Sequence, residues 1–291
     1  MEPILLNPTV KTLIWGSEQW GISGHPNGDD EILNEEFKGN TLSSLFKTRP
    51  DLFGNASLSQ FPLLTKIITA NTDLSIQVHP DDEYAAKNEN GSLGKTECWY
   101  IMDAKPGATI VIGHNAKNKE EVKSMIEKGE WDDFIRVIPV HKGDFFFIEP
   151  GTVHAIKGGT VILETQQSSD ITYRVYDYGR LQDGKPRPLH VKQSIDVITA
   201  PFVQEEPPLN SDKAIGDVKQ LVSCNLFTVW HGVVDGSLEI NQNRPFLLCS
   251  VIEGECKLEE KSFSKGEHFI LPHGFGKANF TGKAEMIFSS I

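Results

Sequence analysis

Short apolar runs separated by turn-forming residues dominate the chain after residue 60. The segment 74–79 alternates strictly, so its apolar residues fall on one face of an extended strand, while Ser75, Gln77 and His79 fall on the other. The same pattern predicts strands at 97–102, 109–112, 145–148, 160–166 and 171–176. Many short strands joined by turns that contain glycine and proline favour a β-barrel or a double-sheet jelly roll.

Helical patterns are fewer. One helix is predicted at 41–47 and another at 119–128, where Val122 and Ile126 belong to an apolar stripe and Gly129 provides a C-terminal stop. The hydrophobic pattern as a whole therefore predicts a mainly β protein with a few helices.

A weak internal repeat relates two parts of the chain. Residues 141–151 and 264–274 both contain lysine, glycine, an acid, an apolar run and then proline, but only the first copy continues to a histidine, His154. A polar stretch with three prolines lies between the copies and predicts a domain boundary. We expect two similar β-domains, at 1–205 and 206–291, with a polar site in the first alone.

Length and charge limit the classes of partner. The chain has 291 residues, enough for about two domains. Its 28 basic and 40 acidic residues give a net charge of −12, which argues against a general nucleic-acid-binding protein, because such proteins need a basic surface. An anionic small-molecule substrate remains compatible, since a site can be locally positive inside an acidic protein.

Targeting signals are not apparent in the sequence. No apolar run approaches the roughly 18 residues of a membrane span, and the N-terminus has an acid at position 2 and only a short apolar run, so we expect no signal peptide. The four cysteines are scattered without a CxxC motif, which is typical of free thiols in a reducing compartment. We therefore expect a cytoplasmic protein with no membrane partner.

Four polar residues on the predicted strands form a candidate metal site. Gln77 and His79 are two apart on one strand, so both side chains leave the same face, and Glu97 begins the next predicted strand. His154 follows a Pro-Gly turn that can direct it back into a barrel. A Gln-x-His pair alone is more often a solvent-facing polar pair, but two imidazoles, a carboxylate and an amide together favour a divalent metal such as zinc.

A second group of polar residues follows His154, and its first two members are spaced ten residues apart. It comprises Glu164 and Arg174, with Arg180 six residues further on. An arginine on an inward strand face is costly to bury without an anion. A substrate phosphate or a structural ion pair with Glu164 would each satisfy Arg174, and the spacing leaves both alternatives open.

Several of these motifs resemble those of type I mannose-6-phosphate isomerases in their short prokaryotic form, and 143–154 resembles the second cupin motif. The resemblance covers nearly the whole chain and is carried by PLLTK (62–66), LSIQVHPDDEYA (74–85), GKTECWYI (94–101), EPGTVHAI (149–156) and QQSSDITYRVYDYGR (166–180). It implies two cupin-like jelly-roll domains with one zinc ion in the first. It also implies interconversion of mannose 6-phosphate and fructose 6-phosphate through an enediol.

Residue roles follow from the same resemblance. It implies zinc ligands at Gln77, His79, Glu97 and His154, catalytic roles for Arg174, Glu164, Lys95 and Lys66, and phosphate or sugar contacts at Ser75 and Arg180. The sequence does not identify which of these residues transfers the proton between C1 and C2.

Two departures from the family pattern bear on substrate preference. The segment between Gly16 and Glu18 is much shorter than usual, and Ile156 stands where some longer members carry a tyrosine. The alternatives are a cupin isomerase for another sugar phosphate such as glucose 6-phosphate, a non-catalytic sugar-phosphate sensor, and an iron-dependent cupin oxygenase. Each takes a small-molecule partner, and the sequence leaves the oligomeric state and the native metal open.

Overall fold

The computed structural model describes every residue from Met1 to Ile291 and consists mainly of β-strands. The strands are β1 (Ile4–Asn7), β2 (Thr9–Leu13), β3 (Gly16–His25), β4 (Gly28–Asp29), β5 (Glu31–Ile32), β6 (Leu63–Ala70), β7 (Ile76–Val78), β8 (Glu97–Ala104), β9 (Thr109–His114), β10 (Ile135–Pro139), β11 (Phe145–Ile148), β12 (His154–Ile156), β13 (Thr160–Gln167), β14 (Tyr173–Tyr176), β15 (Leu181–Gln182), β16 (Lys185–Pro186), β17 (Lys219–Ser223), β18 (Thr228–Gln242), β19 (Leu247–Leu258), β20 (Lys261–Ser264), β21 (His268–Leu271) and β22 (Gly276–Ser290).

Helices are short and few, as the sequence predicts. The α-helices are α1 (Leu42–Thr48), α2 (Asp82–Asn88), α3 (Lys119–Lys128), α4 (Trp131–Phe134) and α5 (Val191–Val197), and single 3-10 turns lie at Glu35–Phe37, Pro50–Phe53 and Ser211–Lys213. None of these helices has the length and apolar character needed to cross a membrane. None of the four cysteines forms a disulfide.

The chain forms two compact units. The central unit contains Lys11–Glu18 and Ile68–Glu206, and the C-terminal unit contains Met1–Val10, Gln19–Ile67 and Pro207–Ile291. The end of the central unit coincides with the predicted boundary near residue 205. Most of the first 67 residues, however, belong to the same compact unit as the C-terminal segment. The two units therefore differ in extent from the predicted domains 1–205 and 206–291. The division of function between those two domains stays a prediction.

The central unit is a double-sheet structure. One sheet has the strand order β10-β9-β12-β7-β14, and the other contains β11-β8-β13. Large apolar side chains from both sheets pack between them, including Trp99 and Ile101 on β8 and Ile110, Ile112 and Ile156 on β9 and β12. The two facing sheets confirm the jelly-roll prediction for this part of the chain.

The five-stranded sheet also has an apolar outer face. Ile76 and Val78 on β7 and Val175 on β14 are fully buried against Val122 of α3 and Phe134 of α4. Since side chains alternate along a strand, the residues between them point to the inner face. The predicted alternation is therefore confirmed for 76–79, where Gln77 and His79 face the interior between the sheets. It is wrong for Leu74, which precedes the strand and packs in the interior cluster that contains Trp99.

The C-terminal unit is also built mainly from β-strands and has an apolar interior. Its sheet has the order β17-β18-β22-β19-β21-β1-β5, around a core that includes Trp230, Phe269 and Phe288. The predicted repeat is visible in the turns before β11 and β21. In each turn an acid accepts a backbone hydrogen bond from the residue three positions earlier, Asp144 at 2.8 Å and Glu267 at 2.5 Å.

Several predicted boundaries differ from the structure. Strand β7 has only three residues, and the acidic segment after it, interpreted from the sequence as a solvated turn, begins helix α2. Asp81 is the N-cap of α2, because its side chain accepts a hydrogen bond from Tyr84 N at 2.8 Å. By contrast, α3 and β11 have the predicted bounds.

Candidate metal centre and active site

Three neighbouring strands place the predicted polar residues in one row. His154 on β12 is paired with Gln77 on β7, and Gln77 is paired with Arg174 on β14. Directly paired residues of antiparallel strands point to the same face, so these three side chains share the inner face of the five-stranded sheet. Glu97 begins β8 on the opposite sheet, with the same inward orientation as Trp99.

A tight turn before β12 fixes the two histidines relative to each other. Gly151 has φ +83°, a conformation that favours glycine, and its amide donates to the carbonyl oxygen of His79 at 2.9 Å. A Cβ at this position would lie 2.4 Å from Oγ1 of Thr199. The ring nitrogen Nδ1 of His154 lies 2.8 Å from the Thr152 carbonyl oxygen, which leaves Nε2 directed at His79.

The ligand atoms of this cluster converge on one point. The Nε2 atoms of His79 and His154 are 3.1 Å apart, and each lies 3.5 Å from an oxygen of Glu97. A tetrahedral zinc ion with ligand distances near 2.1 Å separates its ligand atoms by about 3.4 Å. The amide nitrogen of Gln77 is 3.2 Å from His154 Nε2, and a rotation of the amide presents its oxygen there instead. The four residues therefore fit a divalent metal.

Burial and nearby charges set the protonation states of the two histidines and Glu97 that suit a bound cation. Burial, with a contribution from Lys95, lowers the pKa of His79 to about 3, and burial also lowers the pKa of His154. Burial alone would raise the pKa of Glu97, but Lys95 and His79 hold it well below its usual range. Oε1 of Glu97 is buried without a hydrogen-bond donor. Neutral imidazoles beside an ionised carboxylate are the protonation states that a bound metal requires.

Two further predicted residues lie against the cluster. The ammonium group of Lys95 is 3.0 Å from His79 Nε2, forms an ion pair with Glu97 and lies 3.6 Å from Oε1 of Glu164. Glu164 is paired in register with Trp99, whose Nε1 donates to the other carboxylate oxygen at 2.8 Å. A lysine and a carboxylate, both buried, thus stand beside the candidate metal ligands.

Arg174 is a half-buried cation without an anionic partner. Its Nη1 donates to the carbonyl oxygen of Pro188 at 2.9 Å, its Nε has no hydrogen-bond partner, and it forms no ion pair. The ion pair with Glu164 that the sequence allowed is therefore not formed. Burial and the neighbouring Arg187 lower the pKa of Arg174, so an anion that binds there would relieve an unfavourable arrangement.

Arg180 does not join the row, and the phosphate or sugar contact that the family resemblance implies for it stays a prediction. Its guanidinium binds Asp177 and the carbonyl oxygen of Asp73 and stacks on Tyr178 at 5.1 Å. Arg180, Asp73 and Tyr178 line a cleft of about 640 Å³ that none of the residues of the row lines. Asp73 precedes Gln77 by four residues, or roughly 13 Å along an extended chain.

The remaining predicted residues are buried but are not part of the row. Ser75 lies just before β7, and Lys66 lies on β6 within the C-terminal unit. Their predicted roles stay predictions. Sequence reasoning assigned no role to His190, although its ring contacts the backbone of Arg174. A backbone contact across 16 residues leaves no local pattern that could have revealed it.

Known protein families match two parts of the chain. The family described as phosphomannose isomerase type I, catalytic domain, matches residues 6–103. The family described as mannose-6-phosphate isomerase, cupin domain, matches residues 217–291, the segment that contains the second copy of the repeat.

Full-length relatives extend this similarity to the whole chain. Mannose-6-phosphate isomerase ManA of Bacillus subtilis is 45% identical, with 100% of this chain and 99% of the relative covered. A mannose-6-phosphate isomerase of Streptococcus mutans is 44% identical, with 99% and 98% covered. A crystal structure of the mannose 6-phosphate isomerase from Bacillus subtilis superimposes with a TM-score of 0.94 at 41% identity and covers 100% of both chains.

Proposed function

Because the chain belongs to the mannose-6-phosphate isomerase family, we propose that it interconverts mannose 6-phosphate and fructose 6-phosphate at the row of polar residues on β12, β7 and β14. One zinc ion is held by Gln77, His79, Glu97 and His154 in this proposal. The observation that carries it is an arginine without an ion-pair partner on the same sheet face as Gln77 and His154, where His154 forms a buried cluster with His79 and with Glu97 of the opposite sheet.

The proposed reaction moves one proton between two carbon atoms. The open-chain aldose loses the proton on C2, forms an enediol and gains a proton on C1, while the hydroxyl proton at C2 passes to the oxygen at C1. A bound zinc ion supplies a Lewis acid that polarises the sugar carbonyl. The protein must provide a proton carrier and a cation for the developing negative charge.

Glu164 is our candidate for the proton carrier. The hydrogen bond from Trp99 fixes one carboxylate oxygen and leaves the other directed towards Lys95, 3.6 Å away. A carboxylate held in one orientation can accept a proton from carbon without first reorganising. Lys95 is the alternative carrier, since its ammonium group also lies against the ligands, and Lys66 keeps the role that the family resemblance implies.

Arg174 supplies the positive charge for the anionic substrate. Arg174 lies on the same sheet face as His154 and Gln77, and no carboxylate forms an ion pair with its guanidinium. A fixed cation in a water-poor site stabilises an enediolate oxygen more than the same cation does in water. We therefore assign to Arg174 the stabilisation of the enediolate or the orientation of the sugar phosphate.

Isomerisation in deuterium oxide tests this proposal. Zinc-loaded protein incubated with mannose 6-phosphate is expected to form fructose 6-phosphate that carries deuterium at C1, because a proton carrier exchanges with solvent during the enediol step. Failure to form fructose 6-phosphate would contradict the proposed activity, whereas product without deuterium would contradict a proton carrier that exchanges with solvent.

A panel of substrates tests the specificity. We expect turnover of mannose 6-phosphate to exceed that of glucose 6-phosphate by at least about tenfold, a difference of about 1.4 kcal/mol in activation free energy. Saturable binding of mannose 6-phosphate without any product would contradict an enzymatic role and favour a sensor. Oxygen consumption by iron-loaded protein would favour an oxygenase instead.

A further inference from the structure

The backbone of Arg174 is held by a single residue from a distant part of the chain. The amide of Arg174 donates to Nδ1 of His190 at 3.1 Å, and the amide of His190 donates to the carbonyl oxygen of Arg174 at 2.8 Å. The backbone amide of Arg174 is therefore bound by the ring of His190, and its carbonyl oxygen is bound by the main chain of His190.

This pair of hydrogen bonds replaces a missing strand. β14 is the edge of the five-stranded sheet, so the side of Arg174 opposite β7 has no neighbouring strand. In an antiparallel sheet a directly hydrogen-bonded pair exchanges one N–H and one C=O with each partner. His190 reproduces that exchange, with its imidazole nitrogen in place of a carbonyl oxygen. Edge strands without such partners are easily displaced.

The need for this support is greatest at Arg174, because β14 is irregular there. The pairing with β7 shifts its register between Arg174 and Tyr176. Such a bulge redirects nearby side chains and weakens the strand on either side. Without His190, the direction of the Arg174 side chain would depend on pairing with the three-residue strand β7 alone.

His190 is itself fixed by its surroundings. It immediately precedes α5, and both the amide and the hydroxyl of Ser194 donate to its carbonyl oxygen at 2.8 Å. Two residues earlier, the carbonyl oxygen of Pro188 accepts from the guanidinium of Arg174. His190 therefore holds the backbone of Arg174, and the carbonyl oxygen of Pro188 holds its side chain.

The ring acts as an acceptor in this arrangement. Nδ1 of His190 must be unprotonated to receive the Arg174 amide. Burial and the charge of Arg174 lower the pKa of His190, which is consistent with a neutral ring.

We propose that His190 is a positioning residue that fixes the backbone of Arg174 so that the guanidinium meets the anionic substrate. The inference rests on the role given to Arg174 in the proposed function. His190 acts through Arg174 alone and touches neither the sugar nor the candidate metal ligands.

Three variants at and beside this position test the inference. His190→Ala removes the acceptor, whereas His190→Asn keeps an acceptor oxygen close to the place of Nδ1. Leu189→Ala is the matched control, because this neighbouring side chain is 48% exposed. We expect His190→Ala to lower kcat by roughly 10- to 100-fold, the cost of a misplacement near 1 Å, with KM and zinc content nearly unchanged. His190→Asn should recover most of the loss, and Leu189→Ala should behave as the wild type.

A double-mutant cycle with Arg174→Ala gives the decisive kinetic result. If His190 acts only through Arg174, His190→Ala will lower kcat no further in the Arg174→Ala background. Independent losses that multiply would overturn the inference. So would an Asn variant as slow as the Ala variant.

Hydrogen exchange of the Arg174 amide separates this inference from the proposed function. The amide should be protected in the wild type and in His190→Asn and should exchange at least tenfold faster in His190→Ala. If His190→Ala does not fold, His190→Gln, with its acceptor displaced by one methylene, replaces it and should show a smaller change in the same direction. An inactive wild type would refute the proposed function. An active wild type with an unprotected Arg174 amide would refute the positioning role.

Discussion

Arg174 and Arg180 show how two similar residues acquire different surroundings. Arg180 is neutralised by Asp177 and stacks on Tyr178, whereas Arg174 has only a carbonyl oxygen as partner. A half-buried guanidinium that lacks an anion is unfavourable unless another molecule supplies one. The protein maintains this state at Arg174 through backbone contacts, and we interpret it as preparation for an anionic substrate.

Truncation of Arg174 tests this interpretation. We expect Arg174→Ala to lower kcat by about 10²- to 10³-fold, the range found when one preorganised donor to a developing oxyanion is removed. Zinc content should stay at the wild-type level, because Arg174 is not among the ligands. Steady-state kinetics and elemental analysis measure the two effects.

The control for Arg174→Ala is Arg136→Ala. Arg136 lies on β10, at the other edge of the same sheet, and binds the side chain of Gln204. This variant should retain the wild-type rate. Equal losses of zinc and activity in Arg174→Ala would contradict the assigned role.

Removal of one imidazole tests the metal centre. We expect His154→Ala to weaken zinc binding by more than about 100-fold, beyond the effect of losing an outer partner of a ligand, because a nitrogen donor of the first shell is lost. Elemental analysis after dialysis measures the occupancy. His141→Ala, in which the imidazole is 79% exposed, is the matched control and should keep full zinc. Full occupancy in His154→Ala would remove His154 from the ligand set.

At the scale of elements, the sequence predicted most strands that build the row. Alternation placed Gln77 and His79 on the inner face of β7 because the opposite face must be apolar to pack against helices. Arg180 lies beyond the reach of this alternation. Tyr178 and Gly179 adopt positive φ values of 56° and 65°, which end the alternation before Arg180 and turn its side chain towards Asp73.

Other parts of the site could not be predicted from local pattern. The contact between His190 and Arg174 depends on where the chain returns after the hairpin of β15 and β16. On the Arg174 side it involves only backbone atoms, which any residue possesses. Likewise, the grouping of the first 67 residues mainly with the C-terminal segment depends on contacts distant in sequence. The hydrophobic periodicity of a sequence indicates which face of a helix or strand is buried. It does not indicate which other element packs against that face.

The turn before β12 gives a prediction at this scale. Gly151→Ala should destabilise the fold more than Gly143→Ala. Both positions have positive φ, which costs a residue with a Cβ about 1–2 kcal/mol. Only at Gly151 does the added carbon meet Oγ1 of Thr199 at 2.4 Å, whereas the nearest atom to a Cβ at Gly143 is 4.0 Å away. Overpacking should add roughly 1–3 kcal/mol.

Urea unfolding of the two glycine variants measures this difference. Zinc affinity should also fall in Gly151→Ala alone, because the turn joins His79 to the strand of His154. Equal destabilisation in the two variants would contradict the packing role of the Gly151 turn.

At the scale of the whole molecule, buried histidines make stability depend on pH. In the C-terminal unit, burial lowers the pKa of His268 to about 4, and the side chain retains only a contact with Oγ of Ser250 at 2.8 Å. The unfolded chain, with a pKa near 6.5, takes up the proton first. The contribution of His268 to stability is therefore complete above pH 6.5 and is lost as the pH falls from about 6.5 to about 4.

This linkage can be measured by comparison with a variant that does not titrate. Between pH 7 and pH 5 the wild type should lose about 2 kcal/mol more unfolding free energy than His268→Gln. Urea unfolding at the two pH values gives the difference, and His141→Gln is the exposed control. Parallel pH profiles of the wild type and His268→Gln would show that His268 remains able to ionise in the folded state.

We propose that the metal cluster and Arg174 form one zinc-dependent active site that isomerises mannose 6-phosphate. The most direct test of this proposal is the initial rate of fructose 6-phosphate formation from mannose 6-phosphate, measured with zinc-loaded protein, after chelation and after zinc is restored. We predict turnover that is abolished by the chelator and recovered with one zinc ion per chain. A rate that persists in protein shown by elemental analysis to be free of metal, or no rate with zinc fully bound, would contradict the account.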